Sequence, residues 1–275
     1  MTALTYLSAI RFSGAEAADF LHNQVSADIL ALAQGESTFA CYCEPKGRVL
    51  ALMLVSRDGD DLYVVVSAPL VATVTARLRM YVMRAKVELE ILASCAVLGV
   101  HSEQALPQSP APVAVLAVPD SKDQLVITTG QANLEELTLN STALNAWKLA
   151  ELQRGITWLC PETSGQFLPQ MLGYDDLGAV NFRKGCYPGQ EIVARTHYLG
   201  KVKRHPRLLC TTAAICPNPL DNLQIKNNQQ SYDAVITDCG HTEDGGGCLY
   251  VVTRMDPDLP AVQIEYQGQI APLMS

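Results

Sequence analysis

Asn181-Phe182-Arg183-Lys184-Gly185-Cys186-Tyr187-Pro188-Gly189-Gln190-Glu191 is the run on which the reading of this chain turns. Pro188 suits the first turn of a helix continuing through Ile192-Val193-Ala194-Arg195, with Glu191 and Arg195 paired four apart. Cys186 would then lie at or just before the helix N-terminus, beside Lys184 and near Arg183. Free amide groups and positive side chains there favour a thiolate over a thiol. Gly185 and Gly189 let the backbone turn sharply and come close to a ligand. Two readings stay open on these residues: a reactive or cluster-facing thiolate, and a packed cysteine in a tight turn.

Charge gathers around this run. The 275-residue chain has a formal net charge of −8, yet the segment from Arg183 to Arg207 is locally +6. Its cations are Arg183, Lys184, Arg195, Lys201, Lys203, Arg204 and Arg207, against the single acid Glu191. A solvated basic face and an anion-binding role are both open. No aromatic-interleaved RNA-binding motif accompanies the charges, so no strong direct nucleic-acid binding is expected. The N-terminal residues lack a basic start followed by an apolar run, so no signal peptide is expected. No apolar stretch approaches the roughly 20 residues that a bilayer needs, so no membrane partner is expected either. Nine cysteines, odd in number and irregular in spacing, predict reduced thiols in a cytosol rather than a disulfide framework. No metal site is expected. Asp238-Cys239-Gly240-His241 with Gly245-Gly246-Gly247-Cys248 reads as a hairpin turn, and Cys41/Cys43 has no second pair at zinc-ribbon spacing. His197 and His205 read as structural rather than as partners of Cys186 in a Cys–His pair.

Outward from the motif, periodicity gives an α+β chain. Residues 15–33 read as a helix stopped at Gly35, with Phe20, Leu21, Val25 and Ile29 on one face. Val49–Val55 and Leu62–Val66 read as a hairpin around Arg57-Asp58-Gly59-Asp60. Ser67 and Pro69 open a helix lined by Leu70, Val74 and Leu78. Strands at Lys86–Leu92 and Ala96–Val100 would complete a ββαββ sandwich. Prolines 107, 110, 112 and 119 surround one short strand, Val113–Val118. A helix follows from about Thr142 to Arg154, capped by Ser141 or Thr142 and ended at Gly155. Short strands alternating with Asn-, Asp- and Gly-rich turns from Arg207 onward suggest a small barrel.

The run Lys184-Gly185-Cys186-Tyr187-Pro188-Gly189-Gln190-Glu191 resembles the signature of the YgfZ family, folate-binding proteins related to the glycine-cleavage T-protein. Four further blocks are similar to the family in the same order. They are Gln24-Val25-Ser26-Ala27-Asp28, Pro45-Lys46-Gly47-Arg48, Ser164-Gly165-Gln166-Phe167-Leu168-Pro169-Gln170, and Ile192-Val193-Ala194-Arg195 with Gly200-Lys201. The resemblance implies a T-protein-like multidomain fold with a ferredoxin-like α+β sandwich and a C-terminal β-barrel. Its domains would be 1–40 plus 103–200 for folate, 41–102 for the sandwich and 201–275 for the barrel. It also implies a central channel for tetrahydrofolate, and a cytoplasmic role in assembling or repairing iron–sulfur proteins. Clients would include radical enzymes that methylthiolate tRNA. Cys186 matches the family's essential cysteine, with Lys184, Gly185, Tyr187, Gly189, Gln190 and Glu191 as its motif neighbours. Trp147 matches a tryptophan associated with folate, and an indole could stack on a pterin; its plain reading is a core aromatic, since Leu144, Trp147 and Glu151 share one face. Arg195 and the Lys201–Arg204 run could hold the folate's glutamate tail.

Two departures from the pattern matter. Aminomethyltransferases carry adjacent aspartates on the strand where this chain has Ala51 and Leu52, and neither can orient the folate nitrogen or take a proton. Gln153 stands where relatives have a Glu, so one contact to an amino-pyrimidine edge would be lost or inverted. An accessory factor for iron–sulfur maturation is therefore expected ahead of the alternative, a tetrahydrofolate-dependent aminomethyltransferase-type enzyme.

Overall fold

In a computed structural model the chain is described over residues 1–107, 111–129, 140–200, 202–215, 217–227, 230–242 and 244–274. Pro110 and Lys201, each named above, lie outside these residues. The strands in chain order are β1 (Thr2–Ala3), β2 (Leu7–Ser13), β3 (Ser37–Cys43), β4 (Val49–Asp58), β5 (Asp61–Ser67), β6 (Glu88–Ile91) and β7 (Cys95–Val100). They continue with β8 (Pro112–Ala117), β9 (Gln124–Thr129), β10 (His205–Thr211), β11 (Asn222–Lys226), β12 (Ser231–His241), β13 (Gly247–Thr253), β14 (Gln263–Tyr266) and β15 (Gln269–Pro272). The helices are α1 (Ala17–Gln24), α2 (Val71–Val82), α3 (Ser141–Gln153) and α4 (Gln190–Tyr198).

A five-stranded sheet in the order β3-β4-β5-β2-β6 forms the first layer. Within it β2, α1, β4, β5, α2 and β6 follow the βαββαβ path of a ferredoxin-like fold, with β3 added at the edge. The ferredoxin-like sandwich is therefore present, but it runs from Leu7 to Ile91 and takes α1 as its first helix. Ala96–Val100 does not complete it, contrary to the expected ββαββ unit. That strand, β7, pairs instead with β1 and β9 in a four-stranded sheet ordered β1-β7-β9-β8. The expected division between residues 40 and 41 falls inside β3. Local pattern cannot see this, because a strand's alternation does not say which neighbour it will pair with.

Two local expectations also change. The first helix stops at Gln24, well short of Ala33, because Val25 turns extended (φ −120°, ψ 163°) and bridges to Tyr42. The cap of α3 is Asn140, whose side chain accepts from the Ala143 amide, and neither Ser141 nor Thr142 serves. Gly155 (φ +76°) follows as the left-handed stop.

The third layer is an antiparallel six-stranded sheet, β10-β13-β12-β11-β14-β15, which curls until its edges meet. Thr211 bridges Leu273, and the Met274 amide donates to Cys210 O (2.8 Å). Cys210 and Cys248 lie directly opposite in β10 and β13 and are joined as a disulfide, where reduced thiols were expected. Their directly opposed register (Cα–Cα 4.1 Å) puts the two thiols within reach of each other, which their spacing in sequence does not show. The segment around His241 is the β12–β13 hairpin, and Asp238 pairs there with Lys148 of α3. Among the described residues no three His, Cys, Asp or Glu side chains converge on a point. Among them, too, no helix is long and apolar enough to cross a membrane.

Candidate functional site

The loop before α4 turns Lys184 and Tyr187 inward and leaves Gly185 and Cys186 facing out. Lys184 turns inward, only 8% exposed, and its ammonium donates to three carbonyls: His22 O, Val25 O (2.6 Å) and Ala27 O (3.1 Å). Burial lowers its pKa to about 8. Tyr187, also buried, lays its ring 5.3 Å from the same ammonium. Cys186, between them, is exposed. Lys184 therefore does not stand beside the thiol as a charge partner, as the sequence suggested; its positive end is held among backbone carbonyls. Pro188 also sits outside the helix, because Gly189 is the N-cap of α4 in the left-handed region (φ +84°), three positions beyond Cys186.

The blocks that looked separate in the sequence meet under this loop. A side chain at Gly189 would collide with Glu44 O and come within 2.6 Å of Gly47 Cα, so the motif backbone lies directly on the turn of Pro45-Lys46-Gly47-Arg48. Ser26, fully buried, donates to Ala179 O (2.6 Å), accepts from the Cys41 amide (2.8 Å), and its carbonyl accepts from the Asn181 amide (2.9 Å). Ser164 Oγ donates to Leu50 O (2.8 Å), and the Gly165 amide to Val49 O (2.8 Å). Gln170 Nε2 reaches Val193 O in α4 (2.8 Å), and Gln190 Nε2 holds Lys184 O (3.1 Å). Glu191 and Arg195 form the expected i,i+4 pair (2.6 Å) on the exposed face of α4. Gly185 is exposed, with open space where a Cβ would stand. The C-x-C thiols beneath are fully buried: burial pushes Cys41 up to about 12, and raises Cys43 as well.

The residues expected to bind folate are not brought together. Trp147 is 1% exposed, packed flat on Gly99 and against His101 (4.8 Å between rings), and its Nε1 donates to Glu151 (3.2 Å). It is a core aromatic with no open face for a pterin. Glu151 also accepts from Trp158 Nε1 (3.0 Å) and Tyr6 Oη (2.7 Å), and burial raises its pKa. This quartet was missed at the sequence level, although an acid on the tryptophan face of a helix was a visible signal. The cavity among Trp147, Trp158, Glu151, Arg154 and Phe39 is only about 10 Å³, room for at most one water. Tetrahydrofolate does not fit there. Gln153 is on the other side of α3, exposed, and lines a crevice of about 420 Å³ with Asp120, Arg154, Asp176 and Tyr250. Pockets of this size hold small organic ligands. Arg195, on α4, is not among its lining residues. Ala51 and Leu52 are fully buried in β4, so a carboxylate at either position would face the apolar core.

The fold defines a T-protein-like class: glycine cleavage system aminomethyltransferase T from Bartonella henselae superposes with a TM-score of 0.72, covering 99% of this chain and 83% of that one at 14% identity. Two similar curated proteins carry the name tRNA-modifying protein YgfZ. That of Colwellia psychrerythraea is 26% identical over 96% of this chain and 88% of its own length. That of Escherichia coli O139:H28 is 27% identical over 90% and 83%. An uncharacterized protein of Haemophilus influenzae is 30% identical over 74% and 70%. No family model matches. The chain is thus similar to the curated YgfZ proteins over most of its length.

Proposed function

We propose that this chain is an accessory factor for iron–sulfur-dependent tRNA modification, working in the cytosol and presenting Cys186 to an iron–sulfur client or assembly protein. One observation carries the reading: the thiol is exposed on a loop whose inner side is fixed by Lys184, Tyr187 and the Gly189–Gly47 contact. A loop that only filled a turn would not need three buried carbonyls gathered around one ammonium. The relatives' name supports the link to tRNA modification. Cys41, Cys43, Cys95, Cys160 and Cys186 are free thiols, against the one described disulfide Cys210–Cys248, and that balance supports a reducing compartment. Aminomethyl transfer is disfavoured by the buried Ala51 and Leu52. Cys186→Ser keeps the fold and abolishes support of a tRNA-methylthiolating radical enzyme in cells lacking the wild-type chain. Full complementation by that variant overturns the reading.

Tetrahydrofolate belongs to the same proposal, in the crevice at Gln153 rather than in the centre. Support comes from the crevice volume and from the amide that lines it. An amide pairs imperfectly with an amino-pyrimidine edge, so Gln153→Glu tightens binding by about tenfold and Gln153→Ala weakens it, read by equilibrium dialysis. Affinity indifferent to both changes removes folate from this crevice.

A further inference from the structure

The sequence showed no aromatic-interleaved RNA-binding motif along its basic run, but the fold brings rings together there. Phe182, half-buried against the core, stacks on His197 with ring centroids 3.7 Å apart and planes 15° apart. Tyr198 meets both rings edge-on, at 4.8 Å from His197 and 6.2 Å from Phe182. The order from core to solvent is therefore Phe182 and then His197, which is exposed. Tyr198 (62% exposed) and Leu199 (85%) extend the ledge into solvent at the end of α4. Exposed apolar groups side by side on a helix end mark an interaction surface more often than scattered ones do.

In sequence the residues next to this ledge are positive. Arg183 follows Phe182 directly and is exposed; Lys203 and Arg204 come after Leu199, the first exposed and the second half-buried. Among the described residues none of the three joins an ion pair. Asp175 is near enough to His197 to feel its charge, and burial holds that carboxyl above its ordinary range. On a chain of net charge −8 this is a local exception, and it complements a polyanion.

We propose that the Phe182–His197–Tyr198–Leu199 ledge with Arg183, Lys203 and Arg204 docks single-stranded RNA. The outer face of His197 and the exposed Tyr198 ring offer π-surfaces to unstacked bases, with Phe182 backing His197, and the cations meet the phosphates between them. An A-form duplex keeps its bases stacked inside and gives the rings nothing to cover. Cys186 is four residues from Phe182, so bound RNA would lie along the same loop as the exposed thiol. This goes beyond the accessory role proposed above, in which a client protein alone need touch the RNA.

The test uses the full chain and a short, unstructured, labelled oligoribonucleotide, with fluorescence anisotropy as readout. The single strand binds at low salt and binds more weakly as salt rises. His197→Ala/Tyr198→Ala weakens it by about tenfold or more. Tyr198→Phe, which keeps the ring, restores affinity in the Tyr198 single-site series. Lys203→Glu weakens binding and flattens the salt dependence, while Met83→Ser, just beyond the end of α2, changes nothing. Cys186→Ser binds as the wild type does, which separates this proposal from the thiol reading. Absence of binding at low salt overturns it, as does indifference to the double alanine change. Equal affinity for the annealed duplex, or capture of an acidic peptide in place of RNA, overturns it too.

Discussion

Lys184 and Cys186 are two positions apart and face opposite environments. The lysine's ammonium has as many N–H donors as the carbonyls it meets, so it is the group best suited to tie residues 22–27 to the motif loop. Lys184→Met leaves those carbonyls without that donor and destabilises the fold by about 2–4 kcal/mol in urea unfolding. Lys184→Arg does not rescue it, because a planar fork cannot converge on three acceptors from one point. Glu151 gives a pH dependence of definite sign. Burial raises its folded pKa above the ordinary 4.5, so the folded state holds the proton more tightly than the unfolded one. Its stabilising contribution is present below that value and is lost as pH rises through the folded pKa. Glu151→Gln removes this slope. As pH rises above the ordinary 4.5 the wild type therefore loses unfolding free energy relative to the variant. A gap that moves the other way would show the carboxylate to be favoured by Trp147, Trp158 and Tyr6. Neither residue's setting was legible from sequence. A lysine in a basic run reads as surface, and only the folded carbonyls of a distant segment show otherwise.

At the scale of elements, the motif helix is positioned by two glycines that meet from different parts of the chain. Gly189 caps α4 in a conformation that disfavours any side chain, and its missing Cβ is what lets Glu44 O and Gly47 approach. Gly189→Ala meets both obstacles and costs about 2 kcal/mol or more. Limited proteolysis should then cut between residues 181 and 189 before any other site, with the global melting temperature falling as well. The helix beyond Gly189 was readable in advance, because its apolar spacing and the Glu191–Arg195 pair are local. The sandwich was readable as a type but not in its limits. The β4–β5 hairpin and the Leu70, Val74, Leu78 face of α2 are set by neighbours in sequence. The return of β2 to the sheet centre and the departure of β7 to another sheet are decided by pairing across the fold. Trp147 shows the same limit. A resemblance can mark a tryptophan as ligand-facing, yet whether its face is open depends on Gly99 and His101, which lie far away in sequence.

For the whole molecule, the joint between the curled C-terminal sheet and the rest is built on α3. Lys148 of this helix meets Asp238 of β12 at 2.6 Å, with both side chains about one-sixth exposed. Burial opposes the charge on Lys148, and the Asp238 and Glu151 carboxylates outweigh it, holding the ammonium above its ordinary value. The same lysine lies 5.0 Å from the Tyr6 ring, so the N-terminal segment, α3 and the sheet share one polar knot. The Tyr250 hydroxyl adds a second tie by donating to Leu172 O (3.2 Å). Removing one partner of a buried pair strands the other, so Lys148→Met costs about 3–5 kcal/mol, and Asp238→Leu a similar amount. The double variant recovers most of the loss, because two apolar side chains of similar size can pack where two charges were. A double-mutant cycle in urea measures this directly, and additive losses would mean that the pair is not coupled. The Cys186 loop is fixed by Lys184 on the carbonyls of His22, Val25 and Ala27 and by Gly189 against Glu44 and Gly47, contacts that include neither Lys148 nor Asp238. If the joint serves only stability, the refolded double variant should therefore support tRNA modification as the wild type does.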